Sequence, residues 1–130
     1  MNLFAVSGLF IGITSAILLL ILFFYGRTKL HRIWALFNLA VAVWGVGTYI
    51  AGKADDPQTA LLGWQIGLSG GVLIATFFYH TIYEFCELKQ RGILFFAYFF
   101  GLGTDVLFLF KKVIPLDKWK YFFDSIYYYE

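Results

Sequence analysis

Four long apolar runs, Leu3 to Tyr25, Ile33 to Ala51, Ala60 to Phe85 and Ile93 to Phe110, fill most of this 130-residue chain. Only short charged connections separate them. A helix rises about 1.5 Å per residue, so roughly 20 apolar residues cross a hydrocarbon core of about 30 Å. Each run meets or approaches that length. A soluble helix would carry polar residues on one side at a period of about 3.6, and Ile17-Leu18-Leu19-Leu20-Ile21-Leu22-Phe23-Phe24 has no polar side. Composition agrees: 61% of residues are hydrophobic and 14% charged, with the charges at the run ends. The expected fold is all-α integral membrane, a four-transmembrane-helix bundle. It forms a single membrane domain over residues 1–130, with residues 111–130 as an interfacial or external tail. No nucleic-acid partner is expected, because the surplus charge is only +2 and the cations sit at membrane boundaries, facing headgroups.

Orientation follows from the basic residues. No Lys or Arg precedes the first run, and Arg27, Lys29 and Arg32 follow it at once. The positive-inside rule then puts the N-terminus outside, with Lys89 and Arg91 inside. The tail holds Lys111, Lys112, Lys118 and Lys120 and pulls the other way; the first helix and the short loops decide the assignment. The first run lacks a basic leader segment and a small-residue cleavage site, so it is read as a retained span. The single cysteine, Cys86, permits no intrachain disulfide and reads as a small apolar filler at the end of the third run.

Small residues recur at four-residue spacing: Gly8, Gly12 and Ala16 in the first run, and Gly63, Gly67, Gly71 and Ala75 in the third. Gly47 with Ala51 and Ala97 with Gly101 are shorter copies. Lipid supplies no hydrophobic drive between helices, so such faces promote close backbone approach. They pack within one chain or against a second copy in a homodimer.

Polar residues within the spans need partners. Asp105 fits either a ligand, proton or ion site or an interfacial carboxylate. Asn38 and Gln65 fit interhelical hydrogen bonds or contacts to a ligand in a bundle cavity. Asn38, Gln65 and Asp105 are therefore the ligand-binding candidates. His80 and Glu84 stand one turn apart and point the same way, which suits a local ion pair or a proton relay. Two ligands are too few for a metal site, so no metal and no cofactor is expected. His31 reads as a loop residue at the headgroups. Nowhere does the sequence assemble a nucleophile with its base, or a phosphate-binding loop, so no catalytic residue is assigned and no enzyme is expected.

The stretch from Arg32 to Tyr49, the acidic loop after it, Ala60 to Gly70 and Phe77 to Phe85 resemble the N-terminal seven-helix region of bacterial sensor histidine kinases. Asn38, Trp44, Trp64, Gly71 and His80 are the matching positions. Thr81 stands where that family often has Phe, and four of its seven helices are present. The resemblance implies a sensor in a bacterial inner (plasma) membrane, signalling to a cytoplasmic output domain or partner. No output motif lies within the chain, which is expected to continue past Glu130. The alternative is a small accessory subunit that docks on a larger membrane complex through its glycine faces. A transporter would need broken helices and paired charges that are missing here.

Overall fold

The computed structural model describes residues 2–109, 119–122 and 126–129. Four helices run in order: α1 Leu3–Tyr25, α2 Lys29–Lys53, α3 Pro57–Phe85 and α4 Arg91–Leu109. α1, α2 and α3 are long and apolar enough to cross a membrane. Among the described residues the departure from an all-helical chain is a short antiparallel pair in the tail, β1 Trp119–Phe122 and β2 Ile126–Tyr129. Trp119 lies opposite Tyr129, and β2 lies beside α2 and α3. A run of aromatic residue types favours extended backbone.

α1 begins with its apolar run, whereas α2 and α3 begin earlier than theirs because their caps lie upstream. Asn2 caps α1, accepting from the Ala5 N–H at 2.7 Å, while its own amide donates to the Gly52 carbonyl at 2.6 Å. Thr28 caps α2 in a reciprocal box: its hydroxyl accepts from the His31 N–H, and His31 Nδ1 accepts from the Thr28 N–H. His31 is thus a capping residue in the first turn of α2, not a loop residue. Asp56 caps α3, whose first helical position is Pro57. At the far end of α3, Cys86 is the C-cap and its side chain is exposed, so it does not fill a core.

α2 is the hub, with α1 against one face and α3 against another. Both seams are backbone on backbone. A Cβ added to Gly45 would lie 2.7 Å from the Gly12 Cα, and one on Gly47 would lie 2.7 Å from the Gly63 carbonyl oxygen. The buried α1 positions are Ala5, Gly8, Gly12 and Ser15. On α3 the tight positions are Gly63 and Gly70, with Gly67 between them, meeting Ala51, Gly47 and then Ala40 and Trp44 of α2. Both rows alternate steps of three and four. Seven residues turn a helix by about 700°, only about 20° short of two turns, whereas eight overshoot by about 80°. The contacts therefore slip from Ala16 to Ser15 and from Gly71 to Gly70. A side chain at Gly71 would meet nothing nearer than the Trp44 indole at 3.8 Å, and Ala75 is exposed. This is the heptad spacing of left-handed helix pairs. Gly8 and Gly12 of α1 and Gly63, Gly67 and Gly70 of α3 are thus covered by α2 within the chain, whereas Gly71 and Ala75 are not.

These contacts make the neighbours antiparallel. Gly8 faces Thr48 while Gly12 faces Gly45, and Gly63 faces Ala51 while Gly70 faces Trp44. Ring contacts fill the ends, with Phe4 against Trp64 at 6.0 Å at one end and Trp34 against Phe37 at 4.9 Å toward the other.

Two outcomes test this account. Gly47→Val forces α2 off α3 and is expected to cost about 2 kcal/mol or more, whereas Gly71→Ala should stay within about 0.5 kcal/mol of the parent; thermal melting of the solubilised protein compares them. The Thr59 hydroxyl, donating to Asp56 at 2.6 Å, and the Thr59 and Gln58 N–H groups hold the Asp56 carboxyl below its ordinary value. That contribution is full above the ordinary carboxylate pKa of about 4 and is lost as pH falls through the lower folded value. Asp56→Asn should remove this part of the acid sensitivity, read as a flatter profile of melting temperature against pH below about 4.

Candidate functional site

The seam between α3 and α4 differs in kind from the other two. Gln65, Ser69, Thr76 and His80 fall on one stripe of α3, because steps of four, seven and four residues keep returning to nearly the same side of a helix. α4 answers with Asp105 beside the Ser69 hydroxyl, Gly101 against Thr76 and Tyr98 against His80. Asp105 is 6% exposed, and its Oδ1 has no hydrogen-bond partner among the described residues. Thr76 spends its hydroxyl on its own helix, donating to the Val72 carbonyl at 3.2 Å. Gly101 has no side chain, which lets α4 close over Thr76. The seam is thus held by a few polar contacts where α1, α2 and α3 are held by interlocked backbones.

At one end the seam widens into a cavity of about 860 Å³ between the start of α2, the end of α3 and the start of α4. A chain of polar groups crosses it. The Tyr98 hydroxyl and His80 Nδ1 are 2.7 Å apart, and His80 Nε2 lies 3.7 Å from Glu84 Oε1. Lys29, from the first turn of α2, forms an ion pair with the same Glu84 oxygen. In the tautomer with the proton on Nε2, Tyr98 donates to His80 and the ring N–H faces the carboxylate. Local sequence explains each placement: His80 and Glu84 share a face of α3 by their spacing, and the Thr28 cap starts α2 early enough for Lys29 to reach them. Tyr98 carried no signal of its own in the sequence, since a Tyr in an apolar run has no period to expose it. Lys29 read only as a topogenic charge.

The α3 terminus at this cavity is a Schellman turn. The Leu88 N–H donates to the Tyr83 carbonyl at 3.0 Å and the Glu87 N–H to the Glu84 carbonyl at 3.3 Å. Glu87 holds the left-handed position, φ 50°, that usually belongs to glycine.

The ligand candidates fall in two places. Asp105 is level with Ser69, and Gln65 is one turn from Ser69 along the same face, roughly 6 Å by helical rise. Gln65 is buried as well. Asn38 belongs elsewhere: its amide donates to the Trp34 carbonyl of its own helix at 2.8 Å. The α2–α3 pairing sets it level with Thr76, roughly 16 Å along α3 from Gln65. Of the positions matched to the kinase region, Trp44 packs its backbone on Gly70, Trp64 meets Phe4, and Gly71 and His80 are half-buried. Among the described residues no cluster of three His, Cys, Asp or Glu could hold a metal ion. No family model, no curated protein and no solved structure matches the chain.

Tyr98→Phe removes the α4 half of the hydrogen bond to His80 and is expected to cost about 1 kcal/mol, seen as a lower melting temperature with faster amide exchange in α4 than in α2. Glu87→Gly relieves the left-handed backbone and should raise stability by roughly 1 kcal/mol in the same melting assay.

Proposed function

We propose that the chain is an integral membrane sensor module in which α4 moves against a rigid unit of α1, α2 and α3, and that this motion is relayed to a cytoplasmic output domain or partner. The observation that carries the reading is Asp105: a buried carboxyl with one oxygen unpartnered among the described residues, set in the polar seam that joins the moving element to the rigid one. A buried polar group without a partner is costly, so a proton, ion or ligand that satisfies it favours one arrangement of the seam over another. Differential binding to two arrangements is what coupling requires. The resemblance to the first helices of sensor histidine kinases supports the same role.

In this reading four helices span a bacterial plasma membrane with the N-terminus outside. Arg27, Lys29, Arg32, Lys89 and Arg91 all gather at the end where α1, α2, α3 and α4 make their inner turns, in keeping with a cytoplasmic face. The docking alternative is less well supported, because Gly8, Gly12, Gly63 and Gly67 already face α2 of the same chain and leave it chiefly Gly71 and Ala75.

The test uses the exposed positions Val46 on α2 and Leu107 on α4. Val46→Cys and Leu107→Cys, in a Cys86→Ser background, are spin-labelled and their separation is measured in lipid. Two distance populations are expected, with Asp105→Asn changing their ratio about fivefold, near 1 kcal/mol. A single distance that does not respond to Asp105→Asn would remove the basis for the sensor reading.

A further inference from the structure

The cavity at the end of the α3–α4 seam continues along α4. It shares Phe95 and Tyr98 with an apolar groove of about 460 Å³ whose floor is Phe99, Leu102, Gly103 and Val106. A Cβ on Gly103 would meet nothing within 4 Å, and Phe95, Phe99, Leu102 and Val106 are 49–75% exposed. The two spaces differ in chemistry. The chamber holds Lys29, Lys89 and Arg91 together with Glu84 and Glu87; the groove has almost no polar surface.

Charge and length together identify an occupant. Lys29 and Glu84 neutralise each other. Among the described residues Lys89 and Arg91 have no ion-pair partner and neither does Glu87, which leaves a surplus of one positive charge in the chamber. From Phe95 to Val106 the groove runs roughly 16 Å by helical rise, close to the depth of one bilayer leaflet, about 15 Å. A free phosphate would use the chamber and leave the groove empty. A single acyl chain with a monoanionic head fills both.

We propose that this is a binding site for an anionic phospholipid of the leaflet adjoining the α3–α4 turn. The phosphodiester lies between Lys89 and Arg91, head-group hydroxyls donate to Glu87, and one acyl chain lies along Phe95, Phe99, Leu102 and Val106. Basic pockets at the ends of membrane helices recognise anionic head groups in this way. Glu87 explains itself here as well: a residue kept in a left-handed position that glycine would hold more easily contributes a carboxylate at the chamber rim. The inference rests on the membrane-spanning reading and not on the sensor role. A lipid in this site touches Tyr98 and would bias the seam, but the site stands without any signalling.

The test is lipid retention by the full chain. The protein is purified into detergent micelles carrying equal amounts of phosphatidylglycerol, phosphatidylethanolamine and phosphatidylcholine, and bound lipid is counted by native mass spectrometry. Phosphatidylglycerol is expected to be retained at least about tenfold over phosphatidylcholine, with the preference shrinking in high salt as the charges are screened. Lys89→Gln with Arg91→Gln should abolish that preference. Gly103→Phe, on an open face, should lower retention of all chain-bearing lipids while helical content stays unchanged. Glycerol phosphate, the head group alone, should fail to displace the lipid at tenfold excess. Equal retention of the three lipids, ready displacement by glycerol phosphate, or indifference to both substitutions would overturn the site. A chain that stays in the aqueous supernatant after carbonate extraction would instead overturn the membrane reading.

Discussion

Backbone contact through the glycines of α2 is the constraint on which the rest of the structure depends. Gly45 meets Gly8 and Gly12, Gly47 meets Gly63 and Gly67, and neither point has room for a side chain. In the membrane-spanning reading proposed above, apolar side chains gain little by leaving lipid for protein, so adhesion falls to dispersion between closely apposed atoms. The many exposed large residues, among them Phe10, Phe23, Phe24 and Leu62, are then outward surface and not a failed core. Remove the close approach and little else would hold α1 to α2 or α2 to α3.

That arrangement also decides where chemistry can sit. The glycine contacts themselves leave no space for a ligand; Ser15 and Thr48 are buried beside them, whereas α3 and α4 meet through polar groups. α4 touches α3 through Asp105, Gly101 and Tyr98, each opposite a polar partner. Polar contacts are directional and few, so they can be exchanged for others at modest cost, whereas a glycine seam has one good register. The two seams follow residue type along α3: glycines toward α2, and Ser69, Thr76 and His80 toward α4.

Much of this was legible in the residues. Length and apolarity fixed the helices, and their order along the chain makes antiparallel neighbours the natural result. The small-residue faces were visible too, but their register was misjudged by a residue. Four-residue ladders are easy to see in a string of letters, yet a helix that repeats at 3.6 carries such a ladder steadily off its partner, so Gly70 and Ser15 lie in the seams and Gly71 and Ala16 beside them. Asp105 stood out as a costly group, and the structure buries it; its pairing with Ser69 did not stand out, since a serine among glycines looks like one more small residue. Asn38, Gln65 and Asp105 were grouped by polarity alone, and only the pairing of helices separates Asn38 from the other two. His31 was hidden by its basic neighbours, whose charge outweighed the subtler Thr28-to-His31 spacing. Tyr98 could not have been found without knowing which face of α4 looks at His80.

The hub position of α2 has a consequence for how the protein is made. Each helix packs chiefly on its neighbour in sequence, α1 with α2, α2 with α3 and α3 with α4, so every seam can close as soon as its second helix has been synthesised. The α1–α2 hairpin is complete, down to the Asn2 amide on the Gly52 carbonyl, before any of α3 has left the ribosome. Biogenesis can therefore proceed as a series of hairpin closures with no long-range search, and α4 is the helix that joins these three without a glycine seam of interlocked backbones.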